Sequence, residues 1–446
     1  MNTADKSFGF TDEGIEEIVL DSRKKMHNAL FVPIVGERSD GHDYIDMAIA
    51  NGAVAVLSSR DTEALQEKYP NVKFYRVPDT KAALQEIGYM ERLKFSGKVV
   101  GVTGSVGKTT TRNMIATALS AGMKVFQTAG NANSQVGVPI TMFQMARSCA
   151  DIAVIELGMS EPGEMTKIAR IACVDIAVIT NIGIAHIEYL KTQENILREK
   201  LHILDGASGQ AVLYINSKDA ILRELSIEKI HEFGIAEDTS LVIKSYSPDD
   251  YALTLITKGD HMLQNASAAM HICEDNDVDL DGAKAKLESF TGVAGRGETF
   301  RTEKGVLIID DAYNASPVSM KAGLDTLSQL EGSRKIAVLA DMLELGEKTL
   351  DYHREVGTYI ATLPIDVVFL YGEKAASIGA GINAAFDMSD KDSGKSRKPT
   401  IEYFNDFTEL NNTIRSVAKD GDVILFKGSN SMKLSEIVNT FKQEKI

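Results

Sequence analysis

Along residues 98–204, short apolar runs alternate with longer stretches whose apolar positions recur every three or four residues. The runs Val99–Val102, Val125–Thr128, Ile152–Glu156 and Ile176–Thr180 are too continuous for surface strands and read as buried ones. The stretches Arg112–Leu119 and Thr192–Leu204 carry helical spacing. This alternation predicts a largely parallel sheet covered by helices. The pattern restarts at Gly305, with expected strands Gly305–Asp311, Lys335–Ala340, Asp366–Tyr371, Thr400–Phe404 and Val423–Lys427. Amphipathic segments separate them, which predicts a Rossmann-like unit. The polar stretch Ser389–Pro399 reads as an exposed loop inside it. Ahead of both lies a smaller α/β unit, with a helix over Asp46–Gly52 ending at glycine and a buried strand at Val54–Leu57. There is no internal repeat. The expectation is a three-domain α/β chain divided near residues 95 and 300: 1–95, 96–300 and 301–446.

Composition narrows this picture. The 446 residues suffice for roughly two to four domains. Hydrophobic content of 44% and charged content of 25% are those of an ordinary globular protein. The net charge of −15 disfavours general nucleic-acid binding. Cys149, Cys173 and Cys273 have no metal-type spacing, and their odd number argues against a disulfide framework. A reduced, cytoplasmic setting is expected. The segment MNTADKSFGFTDEG has no secretory pattern, and no apolar run is long enough to predict a membrane span.

The first candidate chemistry is KVVGVTGSVGKTTT at residues 98–111. A strand leads into Gly104 and Gly107, followed by Lys108, Thr109, Thr110 and a helix. Glycines let backbone N–H groups approach phosphate oxygens, the lysine neutralises their charge, and the following hydroxyl can hold Mg²⁺. Val102 stands where the full phosphate-loop pattern has its first glycine. The segment predicts a site for ATP or GTP. Glu156, at the end of an apolar strand, is placed to hold Mg²⁺. His186 follows in TNIGIAH, and Lys200 comes fourteen residues later. Taken singly, Glu156 could cap a turn, His186 could be a satisfied polar residue, and Lys200 a solvated helix lysine.

The order of these pieces resembles the Mur ligase family, the ATP-dependent amide ligases of bacterial cell-wall synthesis. The resemblance rests on GSVGKTT, ELGMSEPGEM, TNIGIAHIEYL, the lysine at 200 and the GR at 295–296. DSR at 21–23, GERSDGHDYI at 36–45 and GNANSQVGVP at 130–139 are similar to one branch, as are DDAYNASP at 310–317, DMLELGE at 341–347 and KGS at 427–429. That branch adds D-alanyl-D-alanine to UDP-N-acetylmuramoyl-tripeptide. The resemblance implies that Lys108 contacts the β- and γ-phosphates, and that Thr109 and Glu156 hold one Mg²⁺. It implies a second Mg²⁺ on Glu156, His186 and a carbamylated Lys200. Asn265 resembles the family's adenine-contacting asparagine, Arg296 its phosphate-contacting arginine and Asp311 its nucleotide-contacting aspartate. Ser22, Arg23 and Asn133 are implied on the substrate side.

Some positions depart from the family. Ser134 and Ser316 stand where it usually has asparagine, Met262 replaces another asparagine, Ala340 a glycine and Asn430 a common arginine. These departures leave open a ligase of the same architecture with another acceptor or amino donor, and a weakly catalytic nucleotide-binding scaffold. The expected partners are the two small substrates, without nucleic acid or membrane, and the expected state is a monomer.

Overall fold

A computed structural model describes residues 8–207, 209–387 and 397–443. Three sheets follow one another along the chain. The first contains β1 (Glu17–Val19), β2 (Ala29–Phe31), β3 (Ala53–Ser58) and β4 (Lys73–Arg76), all parallel and in sequential order. The second contains β5 (Lys98–Thr103), β6 (Val125–Gln127), β7 (Ile152–Glu156), β8 (Ile176–Ile179), β9 (Gln210–Asn216) and β10 (Ser240–Tyr246). It is parallel throughout, in the order β10-β9-β8-β5-β7-β6. The third contains β11 (Glu298–Arg301), β12 (Leu307–Asp311), β13 (Arg334–Ala340), β14 (Val367–Tyr371), β15 (Thr400–Phe404) and β16 (Asp422–Lys427). Its order is β11-β12-β16-β13-β14-β15, and only β11 runs antiparallel.

The continuous apolar runs have a direct cause. Side chains alternate across a strand, so a sheet covered on both faces needs apolar residues at every position. In the central sheet Val99, Ala153, Ile155, Ala177 and Ile179 face the helices Gly137–Ala146, Glu164–Ala172 and Gln193–Leu201. Val100, Val102, Val154 and Val178 face the helices Lys108–Leu119, Asp260–Glu274 and Leu280–Glu288. The third sheet repeats this arrangement, with Ile309, Ala337 and Leu425 on one face and Ile308, Val338 and Phe426 on the other.

Several elements differ from the sequence expectation. The helix expected over Thr192–Leu204 divides into an α-helix, Gln193–Leu201, and a 3₁₀ turn, His202–Gly206. Thr192 caps the α-helix by accepting the Asn195 N–H at 3.1 Å. The helix expected from Arg112 begins at Lys108, immediately after Gly107. The strand expected from Gly305 begins at Leu307, because Gly305 turns with φ 79°. The third sheet starts at Glu298, inside the span assigned above to the central unit. Most of Ser389–Pro399 lies outside the described residues. Among the described residues, no helix is long and apolar enough to cross a membrane.

The first unit is fastened to the second along the helix Thr80–Lys94, which packs on Gly137–Ala146. A Cβ on Gly88 would lie 2.5 Å from Pro139 Cα, so only glycine permits this approach. One turn later, buried Arg92 spreads its guanidinium over three carbonyls, those of Ala172 (2.8 Å), Phe95 (3.0 Å) and Cys173 (2.9 Å). Two of these close the helix Glu164–Ala172, where a cation also complements the helix dipole. Arg92→Met should therefore strand three acceptors. We expect a loss of about 2 kcal/mol, seen as a melting midpoint lower by about 4–8 °C. Arg92→Lys should recover little, because one ammonium lacks the planar fan of donors. An unchanged midpoint in differential scanning calorimetry would show that this contact carries no stability.

Candidate functional site

The chain leaves β5 towards β6 and β7 on one side, then crosses to β8, β9 and β10 on the other. Strand order thus reverses around β5, and in open parallel sheets the crevice beyond such a reversal receives ligands. The loop Gly104–Gly107 occupies this crevice and ends at the N-terminus of the helix Lys108–Leu119, where unpaired N–H groups favour an anion. Gly104 has φ 150°, and a Cβ there would fall 1.9 Å from Thr180 Oγ1. Gly107 has φ 85° and caps the helix.

The turn after β8 splints this loop. Thr180 Oγ1 donates to the Val106 carbonyl at 2.6 Å, and Asn181 Nδ2 donates to the same oxygen at 3.0 Å. Asn181 Oδ1 accepts the Val106 N–H at 3.0 Å, and Ser105 Oγ accepts the Gly183 N–H at 2.9 Å. Sequence reasoning took Thr180 only as the end of a strand. The signal was the TNIG run after an apolar strand, where polar side chains must find backbone partners.

Glu156 is the hub of the site and is fully buried. Its Oε2 accepts from Thr109 Oγ1 at 2.7 Å, and its Oε1 accepts from Asn133 Nδ2 at 2.7 Å. Arg112 Nη1 lies 3.5 Å from Oε2 and also donates to the Gly130 carbonyl at 2.9 Å. Lys108 Nζ donates to the Gly104 carbonyl at 2.8 Å. Burial pushes the Lys108 ammonium below its ordinary pKa, Glu156 opposes that, and Arg296 adds to it. Lys200 is 1% exposed, on the helix Gln193–Leu201. Burial holds its pKa well below the usual lysine range; repulsion from Lys108 adds to this and Glu199 opposes it. The bland reading of a solvated helix lysine is excluded for Lys200. Arg112 was not singled out from sequence, since a helix arginine in the second turn carries no local mark of burial.

One cleft of about 880 Å³ opens between the central and C-terminal units; Lys108 and Glu156 line it, whereas Thr109, Arg112 and Lys200 do not. Gly107, Lys108, Thr110, Asn133, Glu156, His186, Asn265, Arg296 and Asp311 all line it. Asn265 Oδ1 accepts from Thr111 Oγ1 at 2.9 Å, which ties the helix Asp260–Glu274 to the phosphate loop. Arg296 lies 4.1 Å from the Tyr313 ring, and Tyr313 takes the Asn131 amide at 2.6 Å across the two units. Asp311 ends β12, where its carboxyl is raised by burial and lowered by Lys427, whose Nζ donates at 2.5 Å. His186 has a left-handed backbone (φ 62°), and its Nδ1 lies 3.0 Å from Glu344 Oε2. Ser22 and Arg23 are not brought to this cleft: Ser22 Oγ is 3.6 Å from Met47 Sδ, and Arg23 pairs with Asp21 at 2.8 Å on the surface of the first unit.

The departures from the family acquire local explanations. Ser316 caps the helix Pro317–Gln329 through reciprocal bonds with Ser319. Ser134 Oγ accepts the Gly137 N–H at 3.3 Å. Ala340 faces Gly428, where a Cβ would come within 2.7 Å of the Ala340 Cβ. Ser134, Ser316, Met262 and Asn430 all line the cleft.

The donor set suits a hard cation. Glu156 presents a buried carboxylate whose oxygens each accept a single close side-chain hydrogen bond, beside the Thr109 hydroxyl. Among the described residues no three His, Cys, Asp or Glu side chains gather into a metal cage. The described carboxylates and imidazoles thus form no complete cage, and Mg²⁺ characteristically takes few protein ligands with phosphate oxygens and water.

Comparison with known proteins places these features in context. Sequence profiles of Mur ligases match residues 14–90 (family catalytic domain), 102–273 (middle domain) and 295–430 (glutamate ligase domain). The UDP-N-acetylmuramoyl-tripeptide--D-alanyl-D-alanine ligase of Bacillus subtilis (strain 168) is 36% identical over 95% of this chain and 92% of its own length. The Synechocystis enzyme of the same name is 31% identical over 97% of this chain and 93% of its own. The crystal structure of MurF ligase from Thermotoga maritima in complex with ADP matches with TM-score 0.77 and 28% identity, covering 98% of this chain and 99% of that one. An Acinetobacter baumannii MurF structure matches with TM-score 0.79 and 27% identity, covering 96% and 94%.

The close approach at Gly104 can be tested directly. Gly104→Ala would drive a methyl into Thr180 and break the splint on Val106. We expect ATP binding to weaken at least ~10-fold, the equivalent of about 1.4 kcal/mol. Isothermal titration calorimetry, with circular dichroism to confirm folding, provides the check. Unchanged affinity would show that the loop accommodates a side chain.

Proposed function

This chain belongs to the Mur ligase family, and from that premise we infer that it is an ATP-dependent ligase joining D-alanyl-D-alanine to UDP-N-acetylmuramoyl-tripeptide. The observation that carries this reading is the convergence of Lys108, Glu156, Asn133, Arg296 and Asp311, from two units, on one cleft. A carboxylate is a poor electrophile. In the first step a carboxylate oxygen of the tripeptide takes the γ-phosphoryl group, and the bond to ADP breaks. The dipeptide amine then attacks the acyl carbon, loses a proton, and phosphate leaves.

The residues divide this work. Lys108 exchanges the Gly104 carbonyl for β- and γ-phosphate oxygens, and Arg296 adds a second cation to the transferring group. Thr110, Gly104 and Gly107 shape the phosphate cradle. Thr109 and Glu156 would hold Mg²⁺, which when bound neutralises phosphate charge and orients it for in-line transfer. Glu156 and His186 would hold a second Mg²⁺ with Lys200 as its carbamate. The depressed pKa of Lys200 supports that assignment, because only the neutral amine adds CO₂, losing a proton to become an anion. Asn265 and Asp311 would contact the nucleotide. Asn133, whose amide donates to Glu156 Oε1, would contact the substrate, while Ser22 and Arg23 would grip the UDP-sugar on the first unit. Substrates built on nucleotides suit a cytoplasmic setting, and we take the working form to be a monomer.

The test is phosphate release with both substrates, coupled to mass spectrometry of the product. Release with another dipeptide but none with D-alanyl-D-alanine would overturn the donor assignment. Lys108→Ala should lower turnover about 10²–10³-fold with an unchanged melting curve. Lys200→Ala should lose most activity, and ¹³C-labelled CO₂ should give a carbamate resonance that this variant lacks. Full activity in Lys200→Ala without bicarbonate would refute the carbamate.

A further inference from the structure

The contact between His186 and Glu344 joins two units at the rim of the cleft and lies outside the roles assigned so far. His186 Nδ1 is buried from water, and no group aligns with it as a hydrogen-bond partner. The nearest acidic oxygen, Glu344 Oε2, is 3.0 Å away, so a small rotation of either side chain completes a bond. A buried ring nitrogen left unpaired is costly, and a carboxylate can only accept. Nδ1 must then carry the proton.

Glu344 is offered by a stiff arm. It follows β13 in the C-terminal unit, on a loop where Met342 N–H donates to His353 Nε2 at 3.0 Å and Leu343 N–H to Ser429 Oγ at 3.0 Å. Ser429 N–H in turn donates to the Asp341 carbonyl at 3.1 Å, and His353 is fully buried. The backbone is also unusual on both sides of the contact. His186 (φ 62°), Lys191 (φ 71°) and Glu344 (φ 60°) are all non-glycine residues in the left-handed region. Such conformations persist only where surroundings over-determine them, and they concentrate at functional sites.

We propose that Glu344 is the positioning residue of His186: its carboxylate accepts a hydrogen bond from Nδ1–H, which keeps the proton on Nδ1 and leaves the lone pair on Nε2. The lone pair on Nε2 is what a cation ligand requires, and a carboxylate behind a histidine fixes both tautomer and ring orientation. This rests on the ligase reading above in one respect, that His186 serves a cation. It adds that the histidine of the central unit is made competent by an acid from the C-terminal unit. The cation site is therefore complete only while the two units are in contact here.

The test is ¹⁵N nuclear magnetic resonance of the histidine ring in the full chain, assigned by comparison with His186→Gln. Wild type should show the Nδ1–H tautomer. Glu344→Ala should shift it to Nε2–H, and Glu344→Gln, whose carbonyl still accepts, should retain Nδ1–H. Glu344 is 54% exposed, so its replacement should leave the melting curve unchanged. In steady-state ligation Glu344→Ala should raise the Mg²⁺ concentration for half-maximal rate about 10-fold, with KM for the muramoyl substrate unchanged. An Nε2–H tautomer in wild type, an unaltered tautomer in Glu344→Ala, or an unaltered Mg²⁺ requirement would overturn the proposal. Absence of ligation in wild type would refute the reaction instead, and the tautomer result would stand apart from it.

Discussion

Four cationic side chains, Lys108, Arg112, Lys200 and Arg296, act on a neighbourhood whose central anion is the fully buried Glu156. This excess of positive charge governs the rest of the site. Lys108 rests on a carbonyl, Arg112 on another, and the Lys200 amine is driven towards neutrality. The lining of the cleft as a whole is balanced, with Lys108, Lys218, Lys258, Arg296 and Lys427 against Glu156, Glu164, Asp219, Asp311 and Glu344, so the positive excess is local to the phosphate loop, where reduced screening makes each charge count for more than on the surface. A polyphosphate relieves the repulsion. The site's electrostatics and its substrate are two halves of one balance.

Sheet topology makes that concentration possible. Reversal of strand order around β5 opens a crevice to which β5, β7 and β8 deliver the glycine loop, Glu156 and the Thr180–Asn181 splint together. The C-terminal sheet brings Arg296, Asp311 and Lys427 to the opposite wall, so nucleotide chemistry occurs between units and can be shielded from water there. Arg92 and Gly88 fix the first unit to the second, while Asn131–Tyr313 and His186–Glu344 join the second unit to the third across the cleft.

Local patterns were legible and tertiary ones were not. The strand–glycine–lysine sequence around Lys108 announces a phosphate site because every part of it is contiguous. Strands β1 and β2, three residues each, are too short to show a period. β11 escaped notice because it is an antiparallel edge strand in an otherwise parallel unit. Lys200 looked like a solvated lysine because its helix is polar, and only packing against the sheet reveals its burial. Arg112, Lys427 and Glu344 gain meaning from partners far away in sequence. Ser316 read only as a departure from the family, and its hydroxyl proves to supply a helix cap.

Ala340 ends β13 and Gly428 directly follows the neighbouring β16, and a Cβ at 428 would collide with the one at 340. Here the alanine at 340 takes up the space from that side. The two sites therefore share one methyl's worth of room. A side chain at 428 and one at 340 therefore exclude each other unless the two strand ends move apart, which makes the pair a single steric unit rather than two independent positions.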